Sequence, residues 1–244
     1  MSTVRLDLEY DGSRFKGWAR QPGLRTVRGE LEAALETVLR ETVELTVAGR
    51  TDTGVHALGQ VASFDTDVEV PDDLARRVNG VGPDDIAVTA AAVTEDGFNA
   101  RHDAESRSYL YRVLSRPSPS PFERGRALWW PHRLDRGALD ACAEALVGTH
   151  DFTAFTPTQT DHVRFERNVL AAEWAVDGDI LAFRITADAF MRNMVRVLVG
   201  TQLEVAGGRR TLADFKSLLA GAPRSDAGDT APPHGLYLES VAYD

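Results

Sequence analysis

From Val4 to Tyr10 every second residue is apolar (Val4, Leu6, Leu8, Tyr10), the two-residue period of a half-buried strand. The period then changes. Thr26 stands where a helix N-cap belongs, ahead of Val27, Leu31, Ala34, Leu35, Val38 and Leu39 on one helical face. Strands are expected over 44–48 and 60–64, a short helix over 71–78, and strands over 86–93 and 107–114. In the last of these Tyr109 and Tyr111 share a face. A proline-rich connector spans 117–121. Beyond it the plan repeats, with a helix over 135–147, strands over 169–176 and 181–185, and helices over 190–205 and 212–219. A Gly-, Pro- and Asp-rich loop over 222–235 leads to a closing strand over 236–243. Strands alternating with helices predict an α+β chain whose sheets are covered on one face. We divide it into an N-terminal lobe, 1–105, and a C-terminal lobe, 106–244.

At 244 residues the chain is long enough to bury a sizeable core, and 43% hydrophobic with 26% charged residues is ordinary for a soluble protein. It opens straight into a strand pattern without a secretory apolar region, and no apolar run approaches the ~18 residues of a membrane span. Its single cysteine, Cys142, excludes an intrachain disulfide and a cysteine-rich metal site. The six histidines show no zinc spacing. A cytoplasmic, metal-free protein is expected.

The net charge of −10 opposes a nucleic-acid partner at first sight. Distribution matters more than the total. Between Asp65 and Asp96 nine acids face two bases, a net of −7. Between Arg101 and Arg126 six arginines face three acids, a net of +3. Arg192 and Arg196 follow with no acid beside them. This pattern is compatible with a local RNA groove on an acidic body.

The chemistry concentrates in Gly49-Arg50-Thr51-Asp52-Thr53-Gly54-Val55-His56-Ala57. One carboxylate stands between two glycines and near an arginine, directly after an apolar strand. Such a loop displays its side chains on a rigid edge, a common place for chemistry. Gly, Asp and Thr are also the usual residues of a polar hairpin end, and the other motifs decide between these readings. They include Leu8-Glu9-Tyr10-Asp11-Gly12, Gly17-Trp18-Ala19-Arg20-Gln21, Gly59-Gln60-Val61-Ala62-Ser63-Phe64 and Phe98-Asn99-Ala100-Arg101. Further along come Arg107-Ser108-Tyr109-Leu110-Tyr111, Phe190-Met191-Arg192-Asn193-Met194-Val195-Arg196 and Thr230-Ala231-Pro232-Pro233-His234-Gly235. In this order and spacing they resemble the tRNA pseudouridine synthase A family almost from end to end.

The resemblance implies two α/β lobes with antiparallel or mixed sheets joined across a central RNA-binding cleft, helices on the outer faces. It implies isomerisation of uridine at positions 38 to 40 of the tRNA anticodon arm, by a homodimer, without redox cofactor, metal or membrane. Asp52 matches the catalytic aspartate, as nucleophile, base or electrostatic stabiliser. Arg196 matches the arginine that pairs with it. A charge on a helix whose Phe190, Met194, Val197 and Leu198 face the core needs such a partner. Tyr109 matches the tyrosine stacked beneath the target base, a choice that strand periodicity alone leaves open against Tyr111. Arg50, Arg101, His102 and Arg167 match RNA-contacting segments, and Arg50 suits a flanking phosphate or the space that a flipped base leaves. Trp18 reads as core. Ala19, His102 and Leu110 depart from the family pattern, which touches RNA contacts rather than chemistry.

Two other readings are open. Asp52-Thr53-Gly54 is the triplet of aspartic proteases, which need two such carboxylates sharing a proton. It occurs here once, with Arg50 nearby opposing a shared proton. A non-catalytic RNA-binding module would keep the arginines and aromatics without needing Asp52, Arg196 and Tyr109 together.

Overall fold

The computed structural model describes residues 2–95, 97–160 and 163–244. The elements are β1 (Ser2–Tyr10), α1 (Val27–Leu39), β2 (Thr46–Val47), β3 (His56–Thr66), α2 (Leu74–Val81), β4 (Ile86–Thr94) and β5 (Ser106–Leu114). They continue as β6 (Leu128–Trp129), α3 (Arg136–Leu146), β7 (Gly148–Asp151), β8 (Glu166–Asp177), β9 (Ile180–Ala187), α4 (Met194–Ala206), α5 (Leu212–Leu218) and β10 (Leu236–Ala242). The fold is α+β, as the alternation predicts, and its strands pair mostly antiparallel. Met1–Glu105 together with Tyr237–Asp244 form one compact unit, and Ser106–Leu236 form a second.

In the first unit the strands run in the order β4-β1-β3-β10, with β2 also paired to β3. The alternation in β1 places Val4, Leu6 and Leu8 in the core. α1 starts as expected, Thr26 Oγ1 accepting the Gly29 N–H at 3.3 Å, and it ends at Arg40 in the left-handed region, φ 58°. α1 packs on α2, and α2 on β4. In the second unit the order is β5-β9-β8-β7, with β6 on β5. α3 lies on β8 and against α4 and α5, around buried Phe152, Phe155, Phe183 and Phe215.

Several boundaries differ from the periodicity. The strand expected over 44–48 shrinks to Thr46–Val47, because the Leu45 N–H is taken by the buried Glu32 carboxylate at 3.1 Å. β3 is longer than 60–64. It pairs with β1 from Ser2↔Thr66 to Tyr10↔Ala57, so the length of β1 sets it. α2 begins at Leu74 rather than 71, after a turn in which the Leu74 N–H reaches the Pro71 carbonyl at 3.0 Å. α4 begins at Met194 rather than 190, since Asn193 at φ 62° breaks the helical path. β6 and β7 have no periodic signature. Gly148-Thr149-His150-Asp151 becomes a strand only by pairing with β8.

Candidate active site

The Asp52 loop is held by backbone bonds from several directions. The Thr51 carbonyl accepts from Trp18 N–H at 3.0 Å, the Asp52 carbonyl from Val55 N–H at 3.1 Å, and Phe15 carbonyl from Gly54 N–H at 3.4 Å. The same Gly17–Trp18 segment caps α1, its carbonyls accepting the N–H groups of Val27 and Arg28 at 3.2 and 3.1 Å. Two otherwise orphaned helix donors are thereby satisfied. Trp18 is 2% exposed and is a core residue. One segment therefore ties the helix start to the loop.

Beneath the loop lies a buried polar network. The Tyr10 hydroxyl is 2.8 Å from Thr51 Oγ1. Gln60 Nε2 donates to the Tyr10 hydroxyl at 3.2 Å and to the Gly49 carbonyl at 2.7 Å. Burial pushes the Tyr10 phenol up to about 12, against the lowering effect of its Thr51 and Gln60 hydrogen bonds. It stays protonated and holds the Thr51 end of Gly49–Thr51, while Gln60 holds the Gly49 end. Gly12 is a further fixed point, since a Cβ there would stand 1.9 Å from the Val55 carbonyl oxygen. Gly12→Ala is expected to cost about 3 kcal/mol, the upper range of overpacking in a site that cannot give way. A denaturation midpoint unchanged from wild type would contradict this contact.

Asp52 itself is half-buried and Arg50 is exposed. Arg101 and His102 sit exposed on a turn held by Asn99, whose Oδ1 accepts both their N–H groups at 3.0 Å. The turn is anchored by Ala100, buried in one cluster with Ala48 and Val61. Its N–H reaches Ser63 Oγ at 3.1 Å, and its carbonyl accepts the Tyr243 hydroxyl at 2.6 Å. Arg50 and Arg101 are thus carried by neighbouring supports on the first unit.

In the second unit Tyr109 and Tyr111 are both buried, but differently engaged. Tyr109 meets Phe190 edge-on, ring centroids 4.9 Å apart. The Tyr111 hydroxyl donates to the Pro232 carbonyl at 2.8 Å, and burial raises its phenol well above the usual range, against the lowering charge of Arg196. Arg196, in the first turn of α4, donates from Nε to the Ala231 carbonyl at 2.7 Å. Its Nη1 donates to Asn193 Oδ1 at 3.1 Å. The Ala231 N–H returns to the Arg196 carbonyl at 3.1 Å. The 227–232 segment lies so close on α4 that a Cβ at Gly200 would come within 1.8 Å of the Asp229 carbonyl oxygen. Tyr111 and Arg196 therefore meet at one junction of β5, α4 and the 231–232 backbone, whereas the contact that fixes the Tyr109 ring is with Phe190. His234, in the same loop, has its basicity lowered by burial, with the Arg196 charge adding to this and a backbone bond at Ala127 opposing it.

Arg167 lies at the start of β8. Its Nη1 donates to the carbonyls of Arg164 at 2.9 Å and Glu166 at 2.6 Å. Burial lowers its basicity, Asp188 opposing and Arg164 adding to the shift. Part of its fork is thus engaged in closing its own loop. Among the described residues no group of histidine, cysteine and carboxylates is arranged to hold a metal ion, and no helix is long and apolar enough to cross a membrane. Cys142 is buried, which pushes its thiol up to about 12, against the lowering charge of Lys216.

The family model described as tRNA pseudouridine synthase matches residues 8–103 and 142–244. The chain belongs to that family. A tRNA pseudouridine synthase A of Bacillus pumilus is 41% identical over 99% of this chain and 99% of its own length. That of Bacillus subtilis is 40% identical over the same shares. That of Streptomyces griseus is 45% identical over 98% of this chain and 87% of its own. Among solved structures, a chain of a Cbf5-Nop10-Gar1 complex superposes with a TM-score of 0.35 at 13% identity, covering 83% of this chain and 54% of that one. That likeness is too slight to carry an argument.

Within the synthase family framework, the motifs quoted from the sequence acquire physical roles that periodicity did not reveal. Tyr10 and Gln60 brace the Asp52 loop, Gly12 admits Val55, and the Ala231 and Pro232 carbonyls receive Arg196 and Tyr111. Each lies inside one of those motifs, and the motif itself was the only signal.

Proposed function

We propose that this chain converts uridine to pseudouridine in tRNA, with Asp52 as the catalytic carboxylate. The observation that carries the reading is identity of about 40% to named tRNA pseudouridine synthases A over nearly the whole chain. The Asp52 loop, braced from Tyr10, Gln60, Trp18 and Phe15, supports it, because a carboxylate acting on a sugar must be held still. In the reaction the bond from N1 of uracil to C1′ of ribose breaks and one from C5 to C1′ forms. C5 loses a proton and N1 gains one, so the sum is an isomerisation that consumes no oxidant or reductant. We assign Arg196 as the partner that keeps Asp52 ionised, and Tyr109 as the platform for the target base. Arg50, Arg101, His102 and Arg167 are assigned to RNA contacts. The finer reading is positions 38 to 40 of the anticodon arm, a homodimer, a cytoplasmic location and no cofactor.

Incubation with unmodified tRNA transcripts, followed by mapping of pseudouridine, tests this directly. Conversion at 38 to 40 is expected; a chain that binds tRNA and leaves every uridine unchanged is a non-catalytic RNA-binding module instead.

Two further outcomes follow from the arginines and tyrosines. tRNA affinity should fall steeply as salt is raised, because each phosphate contact releases counterions. A salt-independent affinity would remove Arg50, Arg101 and Arg167 from the contact set. Tyr109→Phe keeps the stacking face, whereas Tyr109→Ala removes it and should weaken base capture by ~1–3 kcal/mol. Equal loss of the chemical step in both variants would make the hydroxyl a participant. If Tyr111→Ala abolishes turnover in a folded protein while Tyr109→Ala does not, the two assignments are exchanged.

A further inference from the structure

His56 closes the Asp52 loop and opens β3, and it is 3% exposed. Its ring stacks on Tyr237 of β10, centroids 4.7 Å apart. The Gly12 N–H donates to its Nδ1 at 3.1 Å. Gly12 in turn lies against the Val55 carbonyl with no room for a Cβ. The next residue after the Gly12–Arg14 turn, Phe15, holds the Gly54 N–H. His56 therefore pins a turn that clasps the Gly54–Val55 end of the Asp52 loop.

An N–H that donates to Nδ1 needs a lone pair there, which makes the imidazole neutral with its proton on Nε2. Asp11 Oδ1 stands 3.2 Å from the same Nδ1, and a carboxylate favours the opposite, imidazolium state. One nitrogen cannot accept from Gly12 and donate to Asp11 together. The two neighbours compete for it.

We propose that His56 is a positioning residue for Asp52, acting as a neutral imidazole whose Nδ1 holds the Gly12 amide and so fixes the far end of the catalytic loop. This rests on the reading of Asp52 as the catalytic carboxylate. Protonation turns Nδ1 into a donor aimed at Asp11 and leaves the Gly12 N–H without its acceptor. The turn then loosens from Val55, and Asp52 loses its registration. Asp11, from the loop after β1, and Tyr237, from β10, are titratable groups that face the ring.

The test compares His56→Asn, His56→Leu and Asp11→Asn on unmodified tRNA across pH, with melting temperatures for each. His56→Asn offers an amide oxygen near the place of Nδ1, an acceptor that does not titrate. It should keep kcat within a few-fold of wild type and lose the acid limb that protonation of His56 gives the rate profile. His56→Leu should lower kcat about a hundredfold, the scale of a 1 Å misplacement, with KM for tRNA little changed. Asp11→Asn retains an oxygen for the Ser13 N–H that Asp11 caps at 3.0 Å. Removing its charge destabilises the imidazolium, so the acid limb should move to lower pH. Should His56→Leu fail to fold, the rescue by asparagine and the shift in Asp11→Asn still decide. A folded His56→Asn as slow as His56→Leu, or an acid limb unmoved in Asp11→Asn, overturns the proposal. Asp52→Asn is assayed alongside; turnover by that variant would remove the catalytic assignment instead, whereas an inactive Asp52→Asn leaves the other outcomes to judge His56 alone.

Discussion

Asp52→Asn is expected to lower pseudouridine formation by at least ~10³-fold, within the range lost when a positioned acid or base is removed, while tRNA still binds. The substitution is nearly isosteric and removes only the ionised carboxylate. The backbone of the loop stays in place because its fixings are made by other atoms. Trp18 N–H holds the Thr51 carbonyl, Val55 N–H holds the Asp52 carbonyl, and Phe15 holds the Gly54 N–H. Tyr10 holds the Thr51 side chain. The unfolding midpoint should therefore be close to wild type, which separates loss of chemistry from loss of fold. Comparable turnover in the variant would return the loop to its other reading, a polar hairpin end.

Arg196→Met is expected to have the next largest effect, in two separable parts. The structural part comes from the second unit alone. Methionine fills the volume but leaves the Ala231 carbonyl and Asn193 Oδ1 without the donors they meet at 2.7 and 3.1 Å. Leaving such groups unmet costs about 1–3 kcal/mol. The chemical part comes from the proposed pairing with Asp52. Without the guanidinium the carboxylate is less stable as an anion, its pKa rises, and the limb of the rate profile that it sets moves to higher pH. Arg196→Lys separates the two, because a point charge remains but the planar fork that serves two acceptors does not. It should recover part of the pH profile and little of the stability. In the His56→Asn background, where no histidine limb masks that of the carboxylate, an acid limb at the same pH with and without Arg196→Met would detach Arg196 from the carboxylate.

Much of the scaffold was legible because side-chain periodicity reports burial directly. Val4, Leu6 and Leu8 in β1, and Leu31, Leu35 and Leu39 in α1, are all core residues. The ends of elements were less legible, since they depend on partners distant in sequence. Glu32 shortens β2 from another element, and β1 lengthens β3. Asn193 starts α4 late through a left-handed backbone that no hydrophobic pattern announces. Within the candidate site, Asp52 stood out because it is a lone carboxylate between glycines. Its supports did not, because Tyr10, Gln60 and His56 look like ordinary strand residues until β1 and β3 pair. Arg167 shows the converse. Its position drew attention as an RNA contact, yet the structure has part of its guanidinium closing the loop that carries it.

The most direct measurement is tritium release from an unmodified tRNA transcript labelled at C5 of uridine. Formation of the C5–C1′ bond expels that hydrogen, so release counts isomerisation and nothing else in the binding cycle. The wild-type chain should release tritium in step with the pseudouridine mapped at 38 to 40, and Asp52→Asn should bind the same transcript and release none. Release by Asp52→Asn within tenfold of wild type, or no release by a folded, tRNA-binding wild type, would contradict an isomerisation carried by Asp52.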